Sequence, residues 1–397
     1  MTDSYPTLRL QPGEDRRIRA GHPWVFANEL KLDDQGRALR PGSIVRLAGA
    51  DGRVLGVGTF NRHSLIAVRL FSAQGDARLD RDFLIGRLTA ARDLRARLGL
   101  GAHHRLVHAE GDGLPGFVID RYGDVAVVQA NTAGAEALTA DLLDALEAVI
   151  APRAIVLRND ATVRGLEGLA AEVRLARGTL PDQIAAEEGG LKFPVDPLGG
   201  QKTGFFFDLG PARTEIARLA APGARMLDVY CHTGAFGLRA AAAGAGAVTF
   251  VDRSEHAVAL AEAGARANGL ADRCRFVRED GFAALERLGH EGQRFDVVVT
   301  DPPSFVKSKK ELKSGARGYR KLVRLAAPLV APGGFYFVAS CSHNVSADLF
   351  ADEVRAGLSA AGRNGRVILA GGAGPDHPVH PHLPESAYIK YQVLQLD

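Results

Sequence analysis

The stretch "ARMLDVYCHTGAFG" (Ala224–Gly237) decides the fold, because it reads as a buried strand, a glycine turn and the start of a helix. From here to the carboxyl end, short apolar runs alternate with helical patterns such as "SEHAVALAEAGARANGL". The predicted strands are "ARMLDVY", "AVTFVD", "CRFVRED", "FDVVVTD", "GFYFVAS", "RVILAGG" and "YIKYQVLQL". Strands that alternate with helices are typical of a doubly wound α/β fold with a mostly parallel sheet.

Acidic residues follow the first three of these strands. Asp228 ends the first strand, Asp252 ends the second, and Asp280 follows the third, next to Gly281. Ligands of open α/β sheets bind beyond the carboxyl ends of the strands. A carboxylate there accepts hydrogen bonds from a ribose diol, and a helix start offers free N–H groups. The pattern predicts a nucleoside-containing cofactor, although each acid taken alone also fits a helix cap or a turn.

Two common nucleotide-binding motifs are incomplete in this chain. A dinucleotide loop needs G-x-G-x-x-G, and the loop after Asp228 offers only Gly234 and Gly237. The segment "GGQKTG" is not a phosphate loop, because Gln201 stands where the motif has a glycine before Lys202. The sequence therefore disfavours NAD and a nucleoside triphosphate as cofactors.

The strand-end acids and their loop resemble class I S-adenosylmethionine-dependent methyltransferases. The first loop of that class usually carries three glycines, whereas here Tyr230 and His232 replace the first two and Gly234 remains. The resemblance implies S-adenosylmethionine as the cofactor and a Rossmann-like domain.

The fourth and fifth strands end in "VVVTDPPSF" and "ASCSHN". Successive prolines fix the backbone and place Asp301 at a rigid strand tip, where we expect Phe305 to stack on a flat base. Cys341 ends the neighbouring strand and is predicted to lie at the same edge. A thiolate there can add to carbon 6 of a cytosine, with Asp301 at the N3 and amino edge of the ring. The alternative for Cys341 is that of a small, buried packing residue.

Composition limits the other possibilities. Cys231 and Cys274 are interpreted as packing residues, and three cysteines without a C-x-x-C pair predict neither disulfides nor a zinc site. No metal site is expected. The amino terminus lacks the apolar core of a secretory signal, and the charge-free run 325–347 contains prolines and glycines that would break a membrane helix. These features predict a cytoplasmic protein without a membrane partner.

Positive charge is concentrated in two zones. Residues 1–75 contain 11 Lys and Arg against 7 Asp and Glu, and "VKSKKELKSGARGYRKLVR" (Val306–Arg324) contains 8 basic residues against one acid. The positive charge of each zone is consistent either with binding of a polyanion or with an ordinary solvated surface. Residues 1–75 read as a small β-rich domain, residues 76–188 as a small α/β domain, and residues 189–397 as the Rossmann-like domain.

At these residues the chain resembles the RlmI-type large-subunit ribosomal RNA cytosine-5 methyltransferases. The motifs that carry the resemblance are "GHPWVF", "GVGTFN", "GDGLPGFVIDRYG", "GQKTGFFFD", "DPPSF", "ARGYRKL", "SCSH" and "DHPVHPHLPESAYIK". The resemblance implies an amino-terminal PUA domain that binds RNA, a small central domain and a carboxyl-terminal methyltransferase domain. It implies 5-methylcytidine as the product and large-subunit (23S) ribosomal RNA as the partner.

The same resemblance assigns roles to individual residues. It implies that Cys341 is the nucleophile and that Asp301 assists it, with Ser304 and Phe305 where other RNA cytosine-5 methyltransferases carry a second cysteine. The residues implied around the cofactor are Phe206, Asp208, Asp228, Tyr230, Gly234, Asp252, Asp280, Gly281 and Asp301.

Two other functions stay open on sequence grounds. A methyltransferase that acts on an exocyclic amine of a purine would use the "DPPSF" motif and need no thiol. A non-catalytic RNA-binding assembly factor would retain cofactor binding only as a relic. The sequence also allows a homodimer and does not identify the modified nucleotide.

Overall fold

The computed structural model describes residues 5–397. Residues 1–4 of the predicted first domain lie outside the described residues. The chain forms two compact units: the first contains the described residues up to Ile184 together with 196–204 and 375–386, and the second contains Ala185–Val195, Phe205–Gly374 and Ala387–Asp397. The boundaries at residues 75 and 188 that the sequence indicates stay predictions.

The first unit contains two β-sheets. Its strands are β1 (Thr7–Leu10), β2 (Trp24–Phe26), β3 (Leu30–Lys31), β4 (Ser43–Ala48), β5 (Val54–Phe60), β6 (Ile66–Ser72), β7 (His103–His108), β8 (Phe117–Tyr122), β9 (Val125–Ala130), β10 (Ala154–Asn159) and β11 (Glu172–Gly178). Its helices are α1 (Arg16–Arg19), α2 (Asp34–Ala38), α3 (Arg81–Arg97), α4 (Ala133–Ala137), α5 (Thr139–Ile150) and α6 (Val163–Leu166), with 3-10 turns at Ala27–Glu29, Ala109–Asp112 and Pro384–Ser386. The first sheet has the order β2-β6-β5-β4-β1-β3, and the second has the order β11-β10-β9-β8-β7.

The second unit contains a hairpin and a seven-stranded sheet. Its strands are β12 (Ala185–Glu188), β13 (Leu191–Pro194), β14 (Arg225–Val229), β15 (Ala247–Asp252), β16 (Cys274–Arg278), β17 (Phe295–Thr300), β18 (Val330–Ser340), β19 (Gly365–Gly371) and β20 (Lys390–Leu396). Its helices are α7 (Gly210–Leu219), α8 (Ala235–Ala242), α9 (Glu255–Ala267), α10 (Gly281–His290), α11 (Leu312–Ala326) and α12 (Ala347–Ala360), with 3-10 turns at Ala271–Arg273, Lys309–Glu311 and Ala327–Leu329. The hairpin pairs β12 with β13, and the large sheet has the order β16-β15-β14-β17-β18-β20-β19.

This sheet confirms the predicted Rossmann-like α/β fold. Strands β14 to β18 pair in parallel, whereas β20 is antiparallel to both β18 and β19. Apolar residues of β14, β17 and β18 are buried and form one core with α10, α11 and α12. Because parallel strands bring their carboxyl ends to one edge, the polar residues after β14 to β18 lie along that edge.

Local sequence signals fix the helix starts at this edge. Ser254 caps α9 by accepting a hydrogen bond from Ala257 N, and Asp280 caps α10 through Phe282 N and Ala283 N. Helix α9 ends just before Gly269, whose φ of +69° only glycine adopts without strain. The N-cap at Ser254 and the helix stop near Gly269 agree with the sequence prediction.

Candidate active site

The loop after β14 is held by Asp228. The side chain is 1% exposed, and its Oδ2 accepts a hydrogen bond from Gly237 N at 2.9 Å, inside the first turn of α8. Burial raises the pKa of Asp228 to about 7, partly offset by the Gly237 hydrogen bond, and the nearby Asp252 charge raises it further. Asp228 therefore fixes the loop between β14 and α8 through a buried hydrogen bond.

Three residues of this loop have left-handed backbone conformations. Tyr230 has φ +64°, His232 has φ +50° and Gly234 has φ +75°. Such conformations cost free energy in residues other than glycine and are concentrated at functional sites. A Cβ at Gly234 would also lie 3.1 Å from Phe250 and 3.2 Å from Ala261, so the loop is packed closely against β15 and α9.

The Tyr230 side chain lies against the start of α10. A Cβ added at Gly281 would lie 2.4 Å from the Tyr230 ring and 2.7 Å from its hydroxyl. The Tyr230 hydroxyl is buried and, within residues 5–397, has no hydrogen-bond partner. Burial raises the pKa of Tyr230 above its ordinary value, and the charges of Asp280 and Asp252 add to this effect.

The other two strand-end acids order backbone at the same edge. Asp252 accepts hydrogen bonds from His232 N at 3.1 Å and from Ser254 N at 2.9 Å. Asp280 is exposed and caps α10. Each carboxylate oxygen has a second lone pair, so both residues retain acceptor capacity.

The segment before α7 brings Phe206 and Asp208 to this part of the unit. The Phe206 ring lies edge-on to His232, with ring centroids 4.8 Å apart. Asp208 is 6% exposed and accepts a hydrogen bond from the Tyr388 hydroxyl. The Phe206 carbonyl accepts a hydrogen bond from Arg213 at 2.9 Å, which fixes the segment.

A buried ion pair anchors Arg213. Its guanidinium bonds Glu188 at 2.5 Å, and Arg239 bonds the same carboxylate at 2.9 Å. Burial alone would raise the pKa of Glu188, but Arg213 and Arg239 hold it below its ordinary value. Sequence reasoning missed these residues, because Glu188 lies in a short hairpin and Arg213 in a helix without a recognisable motif.

Asp301 and Cys341 end the two adjacent strands β17 and β18. Asp301 N lies 3.4 Å from Val229 O, which ties the turn to β14. Cys341 is half-buried, and its Sγ lies 3.9 Å from the carbonyl oxygen of Pro302. The structure therefore brings the thiol to the Asp301-Pro302-Pro303 turn.

A hydroxyl network fixes the residues on both sides of Cys341. Ser342 Oγ lies 2.8 Å from Ser304 Oγ and 2.7 Å from the Tyr319 hydroxyl, and it accepts from Val306 N at 3.3 Å. Ser340 Oγ donates to the Tyr319 hydroxyl at 2.8 Å. Ser340, Ser342 and Tyr319 are all fully buried. The network connects the Asp-Pro-Pro turn, α11 and the end of β18.

Phe305 is half-buried and packs against the core of the second unit. Its ring is stacked on Phe282 at 5.7 Å and tilted against Tyr319 at 4.8 Å. A Cβ at Gly318 would lie 2.9 Å from the same ring. These neighbours hold the ring in place, and the base-stacking role that the sequence indicated stays a prediction.

The other two cysteines lie outside this arrangement. Cys231 is 7% exposed, and burial raises its pKa well above the ordinary value. Burial raises the pKa of Cys274 in β16 to about 11. Both thiols therefore stay protonated near neutral pH, which agrees with packing roles.

The edge formed by β14, β15 and β16 fits S-adenosylmethionine. A buried hydroxyl without a partner costs about 1–3 kcal/mol, and the polar edge of a bound nucleoside would supply the missing hydrogen bond of Tyr230. Asp252 and Asp280 provide carboxylate acceptors at the same edge of the sheet. No group of three or more His, Cys, Asp or Glu in the described part of the chain is arranged to hold a metal ion. No helix in that part has the length and apolarity needed to cross a membrane.

Two family models match the chain. The model of a PUA-like domain matches residues 8–73, which confirms the predicted amino-terminal domain type. The model of an S-adenosylmethionine-dependent methyltransferase matches residues 170–361, a range that contains Asp301 and Cys341. This match confirms S-adenosylmethionine as the cofactor. The crystal structure of SMU.776 complexed with SAH has the same fold, with a TM-score of 0.84 at 21% identity over 98% of this chain and 100% of that chain.

Curated relatives match along nearly the whole chain. Ribosomal RNA large subunit methyltransferase I of Shewanella denitrificans is 37% identical over 395 residues, which is 98% of this chain and 99% of the relative. The protein of the same name from Pseudoalteromonas atlantica is 36% identical over 388 residues, 96% of this chain and 97% of the relative. The chain therefore belongs to the ribosomal RNA large subunit methyltransferase I family, and it carries a PUA-like domain and an S-adenosylmethionine-dependent methyltransferase domain.

Proposed function

We propose that this protein methylates carbon 5 of a cytidine in large-subunit (23S) ribosomal RNA through a covalent adduct with Cys341. The observation that carries the proposal is the position of the thiol, whose Sγ lies 3.9 Å from the Pro302 carbonyl in the turn that presents Asp301. The names of the relatives support ribosomal RNA as the substrate.

The first step is the addition of the Cys341 thiolate to carbon 6 of the ring. The sulfur lone pair forms the C6–S bond, and the electrons of the C5=C6 double bond move toward carbon 5 and N3. Asp301 hydrogen-bonds the N3 and amino edge and helps N3 to take a proton, so the adduct becomes an enamine that is nucleophilic at carbon 5.

Bound S-adenosylmethionine would supply the methyl group from its positively charged sulfur: the S–CH3 bond would break with its electrons left on that sulfur, and carbon 5 would form the new C–CH3 bond. The proton on carbon 5 then leaves to solvent, its bonding electrons re-form the C5=C6 double bond, and the C6–S bond breaks. Cys341 departs as a thiolate and N3 loses its added proton, so the enzyme returns to its starting state.

Around the cofactor we propose the residues that the sequence indicated, Asp301 included. Phe206, Asp252 and Asp280 would contact it from the loop edges, and Tyr230 would hydrogen-bond it. Asp228, Gly234 and Gly281 would act by shaping the loop, because each lies against backbone or rings of the protein. Asp208, which accepts from Tyr388, would orient the segment that carries Phe206.

Two basic surfaces would hold the RNA. The PUA-like region 8–73 contains one. The other is the exposed face of the segment around α11, which presents Lys307, Lys309, Lys310, Lys313, Arg317 and Arg324. Lysine and arginine bind nucleic acid mainly through phosphates, so these surfaces would supply affinity. The site at Asp301 and Cys341 would select a base turned out of the stack.

We also propose a cytoplasmic location and leave a homodimer as a prediction. None of the three cysteines forms a disulfide, which fits a reducing compartment. Light scattering of the purified protein at several concentrations checks the oligomeric state.

The direct test of the proposed function is methylation of unmodified large-subunit RNA with labelled S-adenosylmethionine, followed by nucleoside analysis. Wild type should produce 5-methylcytidine and Cys341→Ala should produce none, whereas the matched variant Cys274→Ala should retain activity. Label on a purine, or activity that survives in Cys341→Ala, would favour exocyclic-amine methylation. An absence of methyl transfer to every RNA tested, with cofactor bound, would favour an assembly factor.

A further inference from the structure

Lys390 occupies the start of the last strand, directly beside the end of β18. In the antiparallel pairing of β18 with β20, Lys390 is opposite Ser340, the residue before Cys341. The side chain is half-buried, and its Nζ donates to Ser342 O and to Val345 O, both at 2.6 Å. An ammonium has three N–H donors, so the two carbonyls fix its position and leave one donor.

The ionisable group that acts most directly on Lys390 is Cys341. Burial lowers the pKa of Lys390, and the opposing influence on it is the charge of Cys341. Burial also raises the pKa of Tyr319, and the Cys341 charge contributes to that increase. Lys390 bonds the carbonyl oxygen of Ser342, and the Tyr319 hydroxyl bonds Ser340 and Ser342, so both side chains lie beside the thiol.

The other charged or titratable groups around Cys341 come from three elements. Asp301 lies in the Asp-Pro-Pro turn, His343 follows at the end of β18, and Tyr388 precedes β20 with its hydroxyl on Asp208. The His343 and Tyr388 rings lie 5.4 Å apart. Across residues 5–397, no carboxylate lies within ion-pair distance of Lys390, so its charge is not neutralised by an acid.

We propose that the Lys390 ammonium is the cation that favours the thiolate form of Cys341 and stabilises the sulfur as it leaves carbon 6. This role rests on the proposed function, because a nucleophilic thiol needs such a cation. A positive charge beside a partly exposed cysteine favours ionisation, and it acts most strongly where water is excluded. Lys390 acts through Cys341 and is a positioning residue in this sense.

The structure favours Lys390 over the basic stretch that follows Asp301. Lys307, Lys309 and Lys310 are exposed, so water and salt screen their charges. Lys390 is half-buried and bonded to the backbone on the carboxyl side of the thiol. The pairing of β18 with β20 joins residues about 50 positions apart, so no local sequence pattern reveals that Lys390 lies beside the end of β18.

The test compares three substitutions at Lys390. Lys390→Arg keeps the charge, Lys390→Gln keeps a donor without the charge, and Lys390→Met removes both. The rate of iodoacetamide alkylation of Cys341 is measured against pH on the full-length protein, by mass spectrometry of the peptide that contains Cys341. Cys231 in the same samples reports unfolding, because its burial keeps it slow, and Lys192→Gln, at an exposed position of β13, is the matched control.

We expect Lys390→Gln and Lys390→Met to shift the midpoint of the alkylation profile upward by at least about one pH unit, which lowers the rate near pH 7 about tenfold. Lys390→Arg and Lys192→Gln should keep the wild-type midpoint. If Lys390→Gln behaves as wild type while Lys390→Met does not, Lys390 acts by holding the backbone and the proposal is wrong. Unchanged midpoints in all three variants would also overturn it.

The outcome for Lys390 is separate from the outcome for the reaction. The alkylation assay needs neither RNA nor methyl transfer, so it remains informative if the product is not 5-methylcytidine. Loss of 5-methylcytidine in Lys390→Met with an unshifted alkylation profile would keep the proposed function and reject the role of Lys390.

Discussion

The hydroxyls of Ser304 and Ser342 lie 2.8 Å apart and join the Asp-Pro-Pro turn to the end of β18. Ser342 follows Cys341 directly, and its hydroxyl also bonds Tyr319 from α11. Three segments separated in the chain thus fix the backbone on either side of the thiol. The proposed nucleophile Cys341 and its proposed partner Asp301 would need a fixed separation, and this network holds the two segments that carry them.

Ser342→Ala should therefore reduce activity without abolishing it. The substitution leaves Val306 N and the Tyr319 hydroxyl short of a partner in a fully buried place, which costs about 1–3 kcal/mol of stability. Chemical denaturation measures the stability, and single-turnover methylation measures the rate. The exposed Ser359→Ala in α12 is the control and should change neither; equal effects of the two substitutions would show that the network has no special role.

Gly281→Ala should weaken cofactor binding at least about tenfold. A methyl group there would lie 2.4 Å from the Tyr230 ring and would force that side chain out of its position. Isothermal titration with S-adenosylmethionine gives the affinity. Gly289→Ala in the same helix meets no atom within 4 Å, so it should leave binding unchanged and stabilise α10 by about 0.5–1 kcal/mol. If Gly281→Ala binds S-adenosylmethionine with wild-type affinity, Tyr230 does not contribute to cofactor binding.

Asp228 should make the folded state less stable as pH rises. Its pKa is raised from 3.8 when unfolded to about 7 when folded, so the stabilising contribution is complete below about pH 4 and is lost as pH rises through 7. Across that window the free energy of unfolding should fall by up to about 1.4 kcal/mol per pH unit from this group. Asp228→Asn removes the titration and can still accept from Gly237 N.

Denaturant unfolding of wild type and Asp228→Asn at pH 5, 6, 7 and 8 measures this pH dependence of stability. The stability difference between Asp228→Asn and wild type should grow in favour of the variant from pH 5 to pH 7 and then level off. A constant difference across all four pH values would mean that Asp228 does not titrate in this range.

The exposed face of α11 and its preceding turn should contribute to RNA affinity through charge alone. Replacing Lys309, Lys310 and Lys313 together by Gln should lower affinity and reduce the slope of log K against log salt by roughly two to three. The exposed Arg266→Gln in α9 is the control. Filter binding at several salt concentrations gives the slope for wild type and for each variant. If the triple lysine variant has the wild-type slope, these lysines do not contact the RNA.

The sequence predicts the fold well where local patterns suffice. All seven strands of the large sheet were predicted, because each is an apolar run that ends in a polar residue or a turn. Asp228, Asp252, Asp280, Asp301 and Cys341 were recognised by the same strand ends. The parallel topology then brings those ends to one edge, which no single motif states.

The contacts around the thiol could not be predicted in the same way. Lys390 and Tyr319 reach the end of β18 from elements that are distant in sequence, and the motifs that contain them, "DHPVHPHLPESAYIK" and "ARGYRKL", do not state that they lie beside the thiol. The sequence also does not show that Phe282 of α10 and Tyr319 of α11 contact the ring of Phe305. Residues 375–386 belong to the first compact unit, although they follow most of the second unit in the chain. No local sequence pattern predicts this.

The most direct test of the central claim is capture of the covalent adduct. RNA in which 5-fluorocytidine replaces cytidine is incubated with the protein and S-adenosylmethionine, and the denatured complex is digested and sequenced by mass spectrometry. Fluorine on carbon 5 blocks the proton loss that releases the thiol, so the nucleotide should remain attached to Cys341 in wild type and be absent from Cys341→Ala. A denaturation-resistant complex attached to Cys231 or Cys274, or 5-methylcytidine formation by Cys341→Ala, would contradict the account.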